Sequence, residues 1–361
     1  MNMILTINPG STSTKVAIFN GETLAHEVFL SHSREELKQY EDISDQKPMR
    51  EQAISQWLTE IGVALEDLDI IVSRGGLVRP IPTGTYEITD LMIEDLKNGY
   101  SGIHASNLGG QIAKDLAEKA GVKAYIADPV ASDELEDVAR ISGLPEIVRR
   151  SNSHYLNMKS VTRRVCSEHS FDMETDNFII CHLGGGISVA PQKAGMVIDT
   201  NNANESGPFS PERAGGLPVV DLIKMAYSGE YQERELMKKI IGHGGLMGYL
   251  DTNDGRQVEQ MIDSGDERAA LIYRAMGYQI AKEIGSSAAV LAGNVKAIIL
   301  TGGLAYSKRL IEIIREFAGF VAPFIVEPGE DEMKSLAEAG LRILNKEEEA
   351  RNYDQEAVKH D

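Results

Sequence analysis

Short apolar runs closed by polar residues or glycine recur along the chain and define its expected elements. Residues 4–7 and 16–19 read as buried strands separated by Asn8, Pro9, Gly10, Ser11, Thr12, Ser13, Thr14 and Lys15, and Asn20-Gly21 then signals a hairpin turn. Residues 27–30, 68–73, 122–127, 295–300 and 324–326 are further strand-like runs. Elsewhere the apolar spacing is helical. Ile54, Trp57, Leu58 and Ile61 form one stripe within 46–61, and Tyr273, Met276, Ile280, Ile284, Ala288 and Leu291 another within 268–291. Leu310, Ile311, Ile314 and Phe317 follow Ser307, and Met333, Leu336, Leu341 and Leu344 line a last helix. Strands alternating with helices predict an α/β protein. The charged stretch from Lys346 onward is expected to be a solvated helix end or disordered.

The polar residues between the strands carry the chemistry. Residues 8–15 gather amide, hydroxyl and ammonium donors with little apolar bulk, a composition suited to holding an anion. Thr14, not glycine, stands directly before Lys15 and a strand follows it, which excludes a Walker A loop, and no dinucleotide fingerprint is present there. Residues 178–190 repeat the plan, with Gly184, Gly185, Gly186 and Ser188 at the turn and His182-Leu183-Gly184 echoing Asn8-Pro9-Gly10. Two such hairpins half a chain apart predict an internal duplication, its loops gripping one polyphosphate from opposite sides of a cleft. A third glycine site, Gly302-Gly303, ends the run 295–300 before a helix and makes a flat shelf.

In this order and spacing the three motifs resemble the phosphate-1, phosphate-2 and adenosine motifs of the acetate and sugar kinase, Hsp70 and actin superfamily. They are most similar to its carboxylate kinases, the acetokinase family. Residues 8–15, 73–80 and 204–209 resemble butyrate kinases more than acetate kinases, and the similarity spans nearly the whole chain. The resemblance implies two duplicated ribonuclease H-like (actin-like ATPase) domains with a nucleotide cleft between them. These would be residues 1–149, with a C-terminal helix from about 332–361 packing back, and 150–331. It also implies ATP or ADP with Mg²⁺, a short-chain fatty acid or its acyl phosphate as substrate, and a homo-oligomer, a dimer or larger.

Residue roles follow from the same resemblance. Arg213 matches the family's second essential arginine, His104 its histidine at the reacting phosphoryl group with Asn107 nearby, Asp128 an aspartate near the metal-bound phosphates, and Glu332 a glutamate near the metal. Asp128 also reads as a helix cap before 130–141, and acids after Glu327 are expected of any first helical turn. Acetate kinases carry Gly-Phe-His-Gly-Thr-Ser-His at the hinge, where this chain has Arg149-Arg150-Ser151-Asn152-Ser153-His154, so Arg150 stands in place of the first histidine. A carboxylate acceptor is already an anion and needs no general base, so cations must offset anion repulsion. Arg213, His104, His182 and one of Arg74, Arg79 or Arg150 are the expected catalytic cations. Asn8, Gly10, Ser11, Ser13 and Lys15 are expected on phosphate or metal, Gly184, Gly185, Gly186, Ser188, Gly302 and Gly303 on ADP, and Asp128 and Glu332 on Mg²⁺ through water. Ile103, Pro208 and Phe209 are expected to line an acyl pocket. The implied reaction is reversible phosphoryl transfer between ATP and butanoate, with isobutyrate, propanoate or acetate as alternative acceptors. A sugar kinase using Asp128 as base and a non-catalytic actin-like ATP switch are the rivals.

Composition narrows the partners. A formal net charge of −19 over 361 residues opposes binding to nucleic acid or an anionic membrane. Two cysteines, Cys166 and Cys181, indicate a reducing compartment and no disulfide scaffold, and with no long apolar span the expectation is a cytoplasmic protein.

Overall fold

The computed structural model describes residues 2–357 as two compact units, one of residues 2–133, 155–157 and 331–357 and the other of 134–154 and 158–330. In the first, β1 (Met3–Pro9), β2 (Ser13–Asn20) and β3 (Thr23–Ser31) form an antiparallel meander. Three more strands follow, β4 (Ile70–Arg74), β5 (Thr85–Glu87) and β6 (Lys123–Ala127). β4 pairs parallel to β1 and β6 parallel to β4, with β5 antiparallel on the outside. The residues of β1, β4 and β6 are mostly β-branched or aliphatic and buried on both faces, because helices cover both, whereas β3 at the sheet edge is largely exposed. Helices Lys47–Glu60 and Asn107–Ala120 place Ile54, Leu58, Leu108 and Ile112 against Leu5, Ile7 and Ile71. On the other face helix Glu332–Leu344 packs Met333, Leu336 and Ala337 on Ile4, Val72 and Tyr125. Gly340 lets that helix approach, since a Cβ there would lie 2.8 Å from a Val72 methyl.

The second unit repeats the order. β7 (Phe178–Leu183), β8 (Ile187–Lys193) and β9 (Met196–Val197) are an antiparallel meander. β10 (Ala297–Gly302) and β11 (Phe324–Pro328) add in parallel beyond β7. The sheet orders β3-β2-β1-β4-β6 and β9-β8-β7-β10-β11 therefore coincide, which is the duplication that the two hairpins predict. Helices Glu267–Val290 and Lys308–Ala318 bury Tyr273, Met276, Ile280, Ile284, Leu310 and Ile314 against Ile179, Cys181 and Leu300.

Three stretches differ from expectation. Residues 130–141 hold only the short helix Asp137–Arg140. Asp128 leaves β6 with φ of +39° and Ser132 bridges to Ile81, so the backbone there is committed to extended pairing. The compact units part at residue 133, well before the hinge expected at 149–154. The tail after Lys346 is ordered through Ala357: Arg351–Asn352 pairs with β5, and helix Tyr353–Ala357 buries Tyr353 completely. The phenol donates to Asp95 and accepts from the Arg79 N–H, a specific pairing that composition alone does not reveal. Residues 358–361 of the expected helix lie outside the described residues. Both cysteines are free and buried, and burial pushes the Cys166 thiol up to about 11. Among the described residues no helix is long and apolar enough to cross a membrane.

Candidate active site

In the first unit the carboxyl ends of the parallel strands collect polar side chains, where α/β sheets place ligands. Asn8 ends β1 and Arg74 ends β4, and Glu332 at the first turn of its helix joins them. One carboxylate oxygen lies 2.6 Å from the Arg74 guanidinium and the other accepts from the Asn8 amide. Each Glu332 oxygen thus already has one partner. His104 stands in the loop before helix Asn107–Ala120, and its Nδ1 accepts from the Ser106 N–H at 3.2 Å. That leaves the ring proton on Nε2. Partial burial, then the nearby Arg74 charge, lowers its pKa, so the neutral form is favoured. Asp128 is buried and latched to Gly84, its carboxylate accepting the Gly84 N–H at 2.8 Å and its own N–H donating to the Gly84 carbonyl.

Other expected residues have different partners. The loop between β1 and β2 is only Gly10–Thr12, because the ladder pairs Asn8 with Lys15 and Pro9 with Thr14. Lys15 is therefore a strand residue, and its ammonium pairs with Glu27 on β3 at 2.9 Å. Arg79 bonds Asp95 through Nε at 2.8 Å and Nη2 at 3.1 Å and lies over the Tyr100 ring. Asn107 fastens loops, accepting from the Leu77 N–H and donating to the Gly102 carbonyl. Ile103 is exposed, whereas Phe209 is packed into the core of the second unit.

The second unit holds its own cluster on the β7–β8 hairpin. His182 is buried and stacks on His154 at 3.9 Å, with His154 Nδ1 3.0 Å from the Ser188 hydroxyl. The Nε2 of His182 lies 3.4 Å from Glu330. Gly186 is open to Arg213, since a Cβ there would collide with the guanidinium. That guanidinium is partly buried and makes no hydrogen bond or ion pair among the described residues. Burial lowers its pKa against the opposing pull of Glu212. Gly184, Gly185 and Gly303 meet on one cavity of about 820 Å³ with Asn253, Arg256 and Tyr306. Gly302 has φ of +89° and a Cβ there would lie 2.5 Å from the Leu183 carbonyl oxygen, so only glycine fits the shelf. Arg150 is exposed and lines a smaller cavity of about 320 Å³ with Ile147, Val148 and Asn202.

Sequence reasoning overlooked Arg256, Asn253 and Tyr306, which lie in polar stretches without a motif, and His154's stacking. It also overlooked Arg50, although that residue falls one helical turn before Ile54 on the apolar stripe, an anomaly visible in the sequence.

Known proteins are similar to this chain in sequence and in fold. Residues 144–319 match the model of the Acetokinase family. A protein named probable butyrate kinase 2, from Caldanaerobacter subterraneus subsp. tengcongensis, is 52% identical over 353 residues, 98% of this chain and 100% of the relative. The crystal structure of Porphyromonas gingivalis acetate kinase superposes with a TM-score of 0.80 at 19% identity, covering 95% of this chain and 100% of that one. A propionate kinase from Francisella tularensis subsp. tularensis gives 0.73 at 17% identity, covering 94% and 99%. At such identities the two structures establish the shared fold, and the full-length relative establishes the kinship: the chain belongs to the acetokinase family.

Proposed function

We propose that the protein is a butyrate kinase catalysing the reversible, direct in-line reaction ATP + butanoate ⇌ ADP + butanoyl phosphate. The observation that carries this reading is Arg213, a partly buried guanidinium set against the glycine turn at Gly186 and making no ion pair among the described residues, with Glu212 acting on it only through space. Keeping a cation desolvated and unpaired is costly unless a ligand supplies the counter-charge. The choice of butanoate draws on the full-length relative named probable butyrate kinase 2.

The acceptor carboxylate is an anion at neutral pH, so no base is required and the obstacle is repulsion between anions. Arg213 would stabilise the equatorial oxygens of the transferring phosphoryl group. His104, neutral with its proton on Nε2, would donate a hydrogen bond there, and Arg74, steadied by Glu332, would add positive charge. Asn8, Ser11 and Ser13 would bind phosphate oxygens, and the cavity at Gly184, Gly185 and Gly303 would take the nucleotide.

Mg²⁺ fits the donor set as a water-bridged ion. Asp128 and Glu332 offer hard oxygens, Glu332 already accepts from Arg74 and Asn8, and the described residues contain no group of three metal-ligating side chains. That is the environment of an ion that keeps its waters and arrives on nucleotide phosphates. Bound with ATP, it would neutralise phosphate charge. Butanoate is separated from propanoate by one methylene, worth about 1–3 kcal/mol, so neighbouring acids are expected as slower substrates.

We also propose a homo-oligomer in the cytoplasm, where ATP is available. Helix Val219–Ala226 buries none of its residues in this chain and exposes Val219, Val220 and Ile223 together, a face suited to a second copy. The catalytic reading is tested by trapping acyl phosphate as hydroxamate with ATP, Mg²⁺ and acetate, propanoate, butanoate, isobutyrate or benzoate. Preference for the four-carbon acids is expected. Nucleotide binding with no product from any acid would overturn it.

A further inference from the structure

We infer that Arg50 is a positioning residue that holds the first phosphate loop in its anion-binding form from behind. Arg50 lies on helix Lys47–Glu60, has no solvent exposure, and is used by none of the steps above. Its Nη1 donates to the carbonyls of Gly10 at 2.9 Å and Ser13 at 2.8 Å and to the Thr14 hydroxyl at 3.1 Å. Its Nη2 donates to the Ser11 carbonyl at 3.2 Å. Gln46, one turn earlier, accepts from both Nε and Nη2 and sets the plane of the guanidinium.

The remaining loop carbonyl, that of Thr12, accepts from the His32 N–H at 2.9 Å. Every carbonyl from Gly10 to Ser13 is thereby held by the protein, three of them by one side chain. In a trans peptide the N–H points opposite to the C=O. The Ser11 and Thr12 N–H groups, anti to the carbonyls that Arg50 holds, therefore face away from it. Neither makes a hydrogen bond among the described residues, and both residues are exposed. The loop shows donors outward and hides its acceptors, the polarity that a phosphate requires.

A planar five-donor fork can bridge three carbonyls, whereas an ammonium cannot do so in the same geometry. Among the described residues Arg50 forms no ion pair, although Glu36 acts on it through space, and its guanidinium is spent on the loop carbonyls. His32 completes the back wall, with the Thr14 hydroxyl accepting from Arg50 and lying 2.9 Å from the imidazole Nε2.

The inference rests on the reading that this loop receives nucleotide phosphate, and the experiment separates the two. The full-length wild type, Arg50→Lys and Gln46→Leu are compared for kcat, KM of ATP, KM of butanoate and ADP binding by calorimetry, with melting temperature alongside. Arg50→Lys is expected to raise KM of ATP and weaken ADP about tenfold or more while leaving KM of butanoate within about twofold. Gln46→Leu, which retains the arginine and keeps the variant pair informative should the lysine protein fail to fold, is expected to shift the same constants less. Arg50→Ala assayed with added millimolar guanidinium should regain part of its ATP affinity, a rescue that a purely structural role would not give. Variants that melt earlier but keep wild-type KM for ATP and ADP affinity would overturn the inference alone. A wild type that binds no nucleotide would overturn the functional reading and this inference with it.

Discussion

Arg213 and Arg50 are two desolvated cations treated in opposite ways. Arg50 is surrounded by carbonyl oxygens, whereas the Arg213 guanidinium has no acceptor among the described residues and Gly186 leaves it room. On the proposed reading, the second arrangement leaves the guanidinium to meet the transferring phosphoryl group, an anion that arrives with the nucleotide. Arg213→Ala is expected to lower kcat about 10²- to 10³-fold, measured by hydroxamate formation at saturating ATP, with ADP affinity changed far less. An unchanged kcat would remove Arg213 from transition-state stabilisation. Arg74 and Arg79 show how residue type underdetermines role. They flank the Gly75-Gly76 pair in sequence, yet Arg79 is locked by Asp95 and Tyr353 while Arg74 stands with Asn8 and Glu332.

Among the elements, the two hairpins were legible because alternating apolar runs and glycine turns are local features. Their register was not, since ladder pairing moved Lys15 into β2 and shortened the loop to three residues, Gly10 to Thr12. The C-terminal segment was misread for the opposite reason. Its composition is charged, but Tyr353 reaches Asp95 and Arg79, Glu348 bonds Arg342 and the Thr85 N–H, and Arg351 packs on Gly84. Burial pushes the Tyr353 phenol far up in pKa, so it remains a donor to Asp95 at any physiological pH. Tyr353→Ala is expected to cost the first unit about 3–5 kcal/mol of stability in urea unfolding. The single tryptophan, Trp57, is buried in that unit's core and reports on it by fluorescence. A change within experimental error would return the tail to the solvated role expected from its charge.

For the complete chain, a net charge of −19 coexists with an exposed apolar helix. Such a helix is tolerated when another surface covers it, since otherwise Val220, 65% exposed, and Ile223, 53% exposed, remain in water. Ile223→Lys is expected to shift the mass measured by light scattering from a multiple of the 39.5 kDa chain toward the single chain. A wild type that already runs at 39.5 kDa would overturn the homo-oligomer proposal.

Local patterning decided which stretches become strands, helices and phosphate turns, because periodicity, glycine and capping act within a few residues. The same patterning exposed the duplication, since each hairpin is followed later by parallel strands of like composition. Tertiary structure decided which polar groups meet. Glu332 lies far along the chain from Asn8 and Arg74 yet pairs with the Arg74 guanidinium and accepts from the Asn8 amide, and His154, the cap of helix Tyr155–His169, stacks on His182 of the second hairpin. Arg50 is the sharpest case, a charge on an apolar stripe whose meaning depends on a loop forty residues earlier, Gly10 to Ser13. Burial is a property of the packed chain, and it turns an ordinary arginine into either a scaffold for a loop or a site for an anion.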